Sequence, residues 1–428
     1  MWARPKDTPA ARTGHPIPLL VQVVHGFPPR ENAGTEQVAH RSAAALRRRG
    51  WAVHTLAATR EPGAPMYAER EEGTVSRLVN NAPFAALRRG GADPGARAWL
   101  ERKLRELRPD VVHVHHLAFL DPAWVCDAPL VWTLHDAWAW CAAGGLLLRD
   151  GAPCGGPDPG CAACASRWVQ DGPAVATALS VAGRASRWIA PARLHRAWRA
   201  LPAPLRAHFV RARSPLPPDA PALHRAHWKA FAARCAVRLA PSRWLADAAE
   251  KQGLGPVRTL PFGAAPGPRH RGGGPFLFLG TLAHHKGPDL VLAAHRQSGV
   301  STPLLIHGPP GPDAAYVHRL PNAGPLGDPG PALASARALV LGSRWPENAP
   351  LVVLEARAAG CPVIAPASGG LPELVEHGVD GWLYPPGDIG ALTAALVRAE
   401  HDPCPPVRPP PTLDAYADAL LGVYEGLR

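Results

Sequence analysis

The sequence predicts an α/β protein whose two domains are each built on a doubly wound parallel sheet. The chain has 428 residues, too many for one ordinary hydrophobic core, and 46% of them are hydrophobic. Short apolar runs alternate with amphipathic segments along most of the chain, which is typical of consecutive βα units. This alternation occurs in two blocks, one in each half of the chain.

The first βα unit follows a polar N-terminus. The run "LLVQVVHG" (residues 19–26) is apolar and ends in glycine, as expected of a buried parallel strand. A loop with Gly34, a helix over about residues 35–49 and a strand over residues 52–57 come next. This order predicts a βαβ unit.

Two further strands extend the predicted N-terminal sheet. The segment "ARAWLERKLRELRPDVVHVHH" predicts an amphipathic helix, a break at Pro109 and a strand over residues 111–115. The segment "PLVWTLHD" (residues 129–136) predicts another strand, which ends on His135 and Asp136. Alternating strands and helices of this kind predict a parallel sheet.

The second block supplies the other domain. Its predicted strands lie in "PVRTLPFG", "PFLFLGTLAHHKG", "PLLIHGPP", "ARALVLGS", "CPVIAPASGG" and "GWLYPPGD", and "TLDAYADALLGVYEGLR" predicts a final helix. We therefore expect an N-terminal domain over residues 1–250, with a cysteine-rich and basic helical insertion over about 141–237. A C-terminal domain would span 251–410, and the helix in 411–428 would pack back toward the N-terminal domain.

Charge and cysteine content limit the partners and the compartment. The net charge of +12 favours anionic partners, but the arginine bias is equally explained by genomic base composition, so a nucleic-acid partner is the less favoured interpretation. No apolar run reaches eighteen residues, and the N-terminus lacks the pattern of a signal peptide. We expect a cytoplasmic protein, in which the eight cysteines are reduced thiols or metal ligands.

Three features of the second half point to a site for an anionic ligand. Gly280 ends a buried strand, and the loop after it carries Lys286, a compact positive charge suited to phosphate although a lone lysine is otherwise a solvated surface residue. Residues 348–351 are expected to form the first turn of a helix that reaches Glu355, where free N–H groups bind anions. Glu355 can bind a vicinal diol, and Glu347 would lie nearer the other end of the ligand.

The spacing Glu347-x7-Glu355, followed by "GGLPELVEHGVDGWLYPPGD", resembles the donor half of retaining glycosyltransferases of GT-B fold, specifically family GT4. The resemblance covers roughly residues 19–428. It implies two Rossmann-like domains that face each other across a cleft and transfer a sugar from a nucleotide-diphosphate (NDP) sugar to an acceptor hydroxyl. The expected acceptors are sugars, lipid-linked molecules or small molecules, and catalysis requires no metal cofactor.

The resemblance also implies residue roles. Glu355 would hold the ribose hydroxyls, Glu347 would contact the sugar ring, and Lys286 would neutralise the diphosphate that leaves with the donor configuration retained. The implied catalytic residues are His135, Glu347 and Lys286. The implied donor-binding residues are Gly34, Gly280, Thr281, Lys286, Glu347, Asn348, Ala349, Pro350, Leu351 and Glu355.

The chain departs from the family at two positions. Thr281 stands where the family commonly has an arginine, so either Lys286 carries the diphosphate charge alone or another arginine compensates. Gly34 stands alone where a glycine pair is common. His135 matches the histidine that the family places at the acceptor face, and such a histidine can titrate near neutral pH. The nearby His113, His115 and His116 are equally explained as packing or capping residues.

Four cysteines follow the strand that ends at His135. Cys141, Cys154, Cys161 and Cys164 have the spacing C-x12-C-x6-C-x2-C, and the final pair is expected in a tight turn. Four thiolates suit a tetrahedral structural zinc ion, and similar insertions occur in a subset of the family that the chain resembles. Unlinked thiols and disulfides remain the alternatives.

The basic segment over residues 184–237 has arginines interleaved with aromatic residues. It is consistent with an amphipathic surface that contacts an anionic membrane peripherally, and equally with a solvated helical face. Two other function classes remain open at this point: a catalytically silent nucleotide-sugar-binding protein, and a basic protein that docks on membranes or nucleic acid.

Overall fold

The computed structural model describes residues 17–61, 63–81, 92–168, 216–309, 320, 323–324, 327–403 and 406–428. Within these residues the chain forms an eight-stranded sheet, a five-stranded sheet and a two-stranded hairpin. No helix in the described ranges has the length and apolar character needed to cross a membrane.

The strands are β1 (Leu19–Val24), β2 (Ala52–Thr59), β3 (Glu69–Glu72), β4 (Val75–Val79), β5 (Val111–Val114), β6 (Leu130–Thr133), β7 (Leu148–Arg149), β8 (Ala152–Pro153), β9 (Val237–Ala240), β10 (Arg258–Thr259), β11 (Phe276–Leu279), β12 (Leu304–His307), β13 (Ala338–Val340), β14 (Val363–Pro366) and β15 (Gly381–Tyr384).

The helices are α1 (Gly34–Arg48), α2 (Pro94–Leu107), α3 (Cys161–Trp168), α4 (Ala220–Arg234), α5 (Arg243–Lys251), α6 (Pro288–Ser298), α7 (Pro329–Ser335), α8 (Leu351–Ala359), α9 (Leu371–Leu374), α10 (Ile389–His401) and α11 (Leu413–Glu425).

Both large sheets are built mainly from parallel strands. The N-terminal sheet has the order β10-β9-β6-β5-β1-β2-β4-β3, in which only the β3–β4 pair is antiparallel. The C-terminal sheet has the order β12-β11-β13-β14-β15 and is parallel throughout. The predicted fold class, α/β with doubly wound parallel sheets, is confirmed.

Helices cover both faces of each sheet. In β1, Val21 and Val23 belong to one buried cluster with Trp99 of α2, whereas Leu20 belongs to another with Leu46 of α1. Successive residues of a strand point to opposite faces, so a strand that is buried on both sides is apolar throughout. This explains why the strands of the sequence are continuous apolar runs rather than alternating ones.

The last helix returns to the first half of the chain. α11 packs beside α1, and Asp414 Oδ1 accepts a hydrogen bond from Arg49 Nη1 (2.9 Å). Tyr424 Oη lies 2.6 Å from His113 Nδ1, inside the cluster that covers the N-terminal sheet. The N-terminal sheet itself continues to β10, which lies beyond residue 250.

Local sequence signals set the helix ends. Asp93 Oδ1 accepts a hydrogen bond from the Ala96 N–H (3.1 Å) and Pro94 is the first residue of α2, a favourable start for a helix. At the other end of a helix, Gly360 follows α8 with a φ of 84°, which favours glycine.

Two local predictions are wrong. α8 begins at Leu351, so Asn348 lies in the preceding loop and Glu347 is not part of a helical repeat with Glu355. The reason is Pro350, because a proline disfavours helical backbone angles in the residue before it. Cys161 and Cys164 do not form a tight turn but lie in the first turn of α3.

Candidate functional site

A cleft with a volume of about 840 Å³ lies between the two sheets. Its walls come from the loops after β1, β5 and β6 on one side and after β11, β12 and β13 on the other. Parallel α/β sheets bind ligands at these carboxyl ends of their strands. All ten predicted donor-binding residues and His135 line this one cleft.

The predicted sugar-contacting carboxylate is firmly held. Glu347 is 4% exposed, and its Oε1 accepts hydrogen bonds from Lys286 Nζ (2.7 Å), Ser343 Oγ (2.8 Å) and Trp345 Nε1 (2.9 Å). Lys286 Nζ also lies 4.8 Å from the centroid of the Trp345 ring. These contacts fix the positions of both charged groups at the wall of the cleft.

The glycine pair after β14 supports the loop that carries Glu347. Gly370 donates its N–H to the Glu347 carbonyl (2.7 Å), and Gly369 has a φ of 63°. A Cβ at Gly369 would overlap the backbone of Glu347, and one at Gly370 would overlap the Asn348 carbonyl. The "GGLPE" segment therefore acts on the site through close backbone packing.

The N-terminus of α8 faces the same cleft. Pro350 offers no side-chain cap, and the N–H groups of Leu351 and Val352 make no hydrogen bond within the described part of the chain. Free N–H groups at a helix start attract anions. Further along α8, Glu355 Oε1 lies 2.7 Å from Arg41 Nη2 of α1. The carboxylate that is predicted to bind the ribose hydroxyls is therefore paired with an arginine in this structure.

Gly280 and Thr281 follow β11 and line the cleft next to Lys286. Lys286 is the one lysine or arginine among the described residues that line the cleft. Within those residues, no arginine takes the place of the one that Thr281 replaces. Gly34, the first residue of α1, also lines the cleft, and a Cβ there would meet no atom within 4 Å.

His135 lies in the loop just after β6, at the boundary between the two halves. Its ring stacks on Phe262 (centroids 5.2 Å apart), and its carbonyl accepts a hydrogen bond from Asn348 Nδ2 (3.1 Å). His135 Nε2 lies 3.2 Å from His115 Nδ1. Burial, and then the neighbouring histidines, hold the pKa of His135 well below its ordinary value. The expectation that His135 titrates near neutral pH is therefore wrong, and its imidazole is neutral there.

His113 has a structural role. Its Nδ1 lies 2.6 Å from Tyr424 Oη and its Nε2 lies 2.8 Å from Thr133 Oγ1, in the buried interior. His115 is also buried, and burial lowers its pKa to about 3. Both fit the packing alternative.

Sequence reasoning named His116 and Asp136 but missed the polar cluster that they form with His25 and Glu36 on the N-terminal wall of the cleft. His25 Nε2 lies 3.1 Å from Glu36 Oε1, and His116 Nε2 lies 3.5 Å from Asp136 Oδ2. All four residues line the cleft. The sequence signal that could have found this cluster is the position of its residues, because His25, His116 and Asp136 each follow closely after an apolar strand.

The four clustered cysteines line one small cavity of about 20 Å³ beside the β7–β8 hairpin. Cys164 is buried, the Sγ of Cys161 accepts from the Asp158 N–H (3.3 Å), and burial raises the pKa of Cys141 to about 11. All four thiols are free. As the side chains stand, no group of three or more His, Cys, Asp or Glu residues in the described ranges is arranged to hold a metal ion.

Part of the predicted membrane-facing segment lies outside the described residues, since nothing between residues 169 and 215 is described. The described remainder includes α4, whose Trp228 and Phe231 are buried in the N-terminal core rather than exposed.

Two family models match the chain. "Glycosyl transferases group 1" matches residues 274–402 and "Glycosyltransferase Family 4" matches residues 32–153, which together make up more than half of the chain. Among curated relatives, the amylovoran biosynthesis glycosyltransferase AmsK of Erwinia amylovora is 50% identical over 52 residues. That segment is 12% of this chain and 13% of the relative, so the chain matches well under two thirds of the relative's length.

Solved structures match over nearly the whole chain. Sucrose-phosphate synthase from Thermosynechococcus elongatus has a TM-score of 0.62 at 16% identity, covering 96% of this chain and 99% of that chain. Anabaena HepE in complex with UDP-glucose has a TM-score of 0.54 at 16% identity, covering 96% and 98%. At these identities the likeness establishes the GT-B fold. The chain thus belongs to family 4 of the glycosyltransferases, the glycosyl transferases group 1, and has the fold expected from its sequence.

Proposed function

We propose that the protein is a retaining glycosyltransferase that moves a sugar from an NDP-sugar to an acceptor hydroxyl. The observation that carries this proposal is the convergence of Lys286, the free N–H groups of α8 and Glu355 on one cleft, opposite His135. The cation and the helix N-terminus suit a diphosphate, and the carboxylate suits a ribose diol.

The nucleotide lies along the C-terminal wall of the cleft. Its ribose hydroxyls donate to Glu355, which exchanges its contact with Arg41 for the ligand. Its diphosphate lies between Lys286 and the start of α8. The complex of HepE with UDP-glucose supports a nucleotide-sugar donor for this fold and makes UDP-glucose a suitable first probe.

Transfer depends on stabilising the charge of the departing diphosphate. Lys286 is held by Glu347 at a fixed position, so it needs little reorganisation when negative charge develops on the leaving oxygen. Glu347 orients the sugar, and neutral His135 bonds a hydroxyl of the donor sugar or acceptor from the opposite wall. The bond between the anomeric carbon and the diphosphate oxygen breaks, the acceptor oxygen bonds the anomeric carbon on that same face, and the departing diphosphate takes the acceptor proton. Because the new bond forms on the face that the diphosphate leaves, the configuration is retained.

The product belongs to a polysaccharide, glycolipid or other glycoconjugate. The name of the Erwinia relative, an amylovoran biosynthesis glycosyltransferase, supports a role in the biosynthesis of such a product. The proposal includes lipid-linked acceptors and peripheral contact with an anionic membrane, because the segment over residues 184–237 is basic.

A thermal-shift panel of UDP-, GDP- and ADP-sugars tests the donor, because a bound ligand raises the melting temperature in relation to its affinity. NMR of the product then reads the anomeric configuration, and an inverted product would refute retention. Binding without turnover against a broad acceptor panel would favour the silent binding protein. Binding to vesicles or nucleic acid that falls steeply with salt, without any response to nucleotides, would favour the basic docking protein.

A further inference from the structure

The N-terminal wall of the cleft contains a carboxylate with an unused oxygen. Glu36 lies in the first turn of α1, is 4% exposed and lines the cleft. Its Oε1 is paired with His25 Nε2 (3.1 Å), but its Oε2 is buried and has no hydrogen-bond partner among the described residues. Leaving such an oxygen unpaired costs free energy, which a hydroxyl from a ligand would recover.

A second carboxylate–imidazole pair lies beside the first. Asp136 Oδ1 accepts from the Trp138 N–H (2.8 Å), and its Oδ2 lies 3.5 Å from His116 Nε2. The rings of His25 and His116 are 4.4 Å apart, so the two pairs form one cluster. Neither carboxylate is used by the donor site described above.

The cluster places two ionised carboxylates on this wall. Burial, the largest influence, would raise the pKa of Glu36, but the hydrogen bond and charge of His25 outweigh it and lower the pKa. Burial likewise opposes ionisation of Asp136, and His116 outweighs it and lowers the pKa. Burial is the largest influence on His116 and lowers the pKa of its ring, although Asp136 opposes this. Among described residues, the N-terminal half contributes no lysine or arginine to the cleft lining.

Aromatic surface completes the wall. Trp138 and Phe119 line the cleft, and their ring centroids lie 5.5 Å from that of His116 and 5.7 Å from that of His25, respectively. An apolar ring surface beside a few fixed polar groups is the usual composition of a small-molecule site, and a sugar offers both CH faces and hydroxyl donors. Carboxylates accept hydrogen bonds from hydroxyl groups well. A phosphate would instead meet like charges, which in general disfavours binding by several kcal/mol.

The geometry points to an acceptor subsite formed by Glu36 and Asp136, which takes an uncharged, hydroxyl-rich saccharide and disfavours a phosphorylated one. This inference rests on the proposed sugar transfer and names its acceptor class. Glu36 Oε2 accepts a hydrogen bond from a hydroxyl of the acceptor, and the histidines act as positioning residues because each orients one carboxylate.

The experiment measures binding of saccharides to the UDP-loaded protein by saturation-transfer NMR and titration. The probes are methyl hexopyranosides and the corresponding hexose 6-phosphates. The variants are Glu36→Gln and Asp136→Asn, with Glu106→Gln on the exposed surface of α2 as a matched carboxylate-to-amide control. Melting temperature and UDP affinity report whether each variant keeps its fold.

We expect the wild type to bind one or more neutral glycosides and to bind the phosphates more weakly. Glu36→Gln should weaken the neutral glycoside roughly ten- to hundredfold, as for loss of a charge-assisted hydrogen bond, with UDP affinity unchanged. Asp136→Asn should reduce the difference in affinity between the hexose 6-phosphate and the neutral glycoside. Glu106→Gln should bind both probes with the affinity of the wild type.

Three results would overturn the inference. They are stronger binding of the phosphates, binding that Glu36→Gln does not alter, and binding of neither probe class to a protein that binds UDP. These results differ from a failure of the proposed function, in which no nucleotide sugar would bind to the protein.

Discussion

The two walls of the cleft carry opposite chemistry. The C-terminal wall offers a lysine and free N–H groups, which suit an anion, whereas the N-terminal wall offers two carboxylates that are each paired with a histidine. A nucleotide sugar is anionic at one end and neutral at the sugar. For the donor that we propose, this difference would place the diphosphate on the C-terminal wall and the sugar toward His135 and the acceptor.

The contrast also separates what each wall controls. Residues of the C-terminal wall should govern donor affinity, and residues of the N-terminal wall should govern turnover and acceptor choice. If a substitution on one wall changed the property assigned to the other wall, the two walls would bind a single ligand jointly.

The largest expected effect is on the N-terminal side. His135→Ala should lower turnover about a hundredfold, the usual scale for a positioned hydrogen-bonding or proton-transfer group, while donor affinity changes little. Steady-state kinetics and calorimetry on the same preparation separate the two quantities, and exposed His401→Ala is the control. Kinetics equal to wild type would assign His135 to structure.

The same histidine gives a pH prediction. Its pKa is lowered in the folded protein, so the unfolded chain binds the extra proton below the ordinary value of 6.5. Its contribution to folding stability is therefore intact above that pH and is lost as the pH falls below it. Denaturant titration should show a smaller difference in the free energy of unfolding between wild type and His135→Ala at pH 5 than at pH 7.5.

The donor wall should respond in binding. Lys286→Ala and Glu355→Ala should each weaken the cognate NDP-sugar by roughly 1.5–3 kcal/mol, since each removes a charged hydrogen-bond partner. Calorimetry measures this, with Lys251→Ala and Glu106→Ala as exposed controls. Unchanged affinity in both variants would remove the donor-site assignment. Lys286→Ala also unpairs buried Glu347, so a melting curve is needed beside it.

Zinc content tests whether the acceptor wall has a further support. The four cysteines share a cavity, and a metal that draws their sulfurs together would order the segment after His135. We expect about one equivalent of zinc per chain by elemental analysis. Chelation or Cys154→Ser should lower the melting temperature by several degrees and leave donor affinity intact. Cys126→Ser, outside the cluster, is the control, and a metal-free, fully active preparation would contradict the idea.

The two walls also differed in how far the sequence predicted them. Most of the predicted donor-binding residues lie in one segment, residues 347–355, so the Glu347-x7-Glu355 spacing and Gly369–Gly370 pointed to that part of the wall directly. Even there, Pro350 moved the helix start in a way that the apolar pattern did not reveal. The acceptor wall joins Glu36 with residues about eighty and one hundred positions later in the chain. No local spacing encodes such a contact, because parallel strand order creates it.

The smallest effect should come from the contact that joins the walls. Arg41 of α1 and Glu355 of α8 pair at 2.7 Å with both side chains partly exposed, and such a pair contributes about 0.2–1 kcal/mol. A bound ribose competes for the same carboxylate, so Arg41→Ala should raise nucleotide affinity by up to about fivefold. The matched control is Arg48→Ala, also on α1, whose partner Asp414 lies outside the cleft. Calorimetry with UDP at low and high salt checks this, because salt should weaken the pair and shrink the difference between wild type and variant. A loss of affinity in Arg41→Ala would mean that Arg41 orients Glu355 for the ribose, and that the two walls cooperate in donor binding.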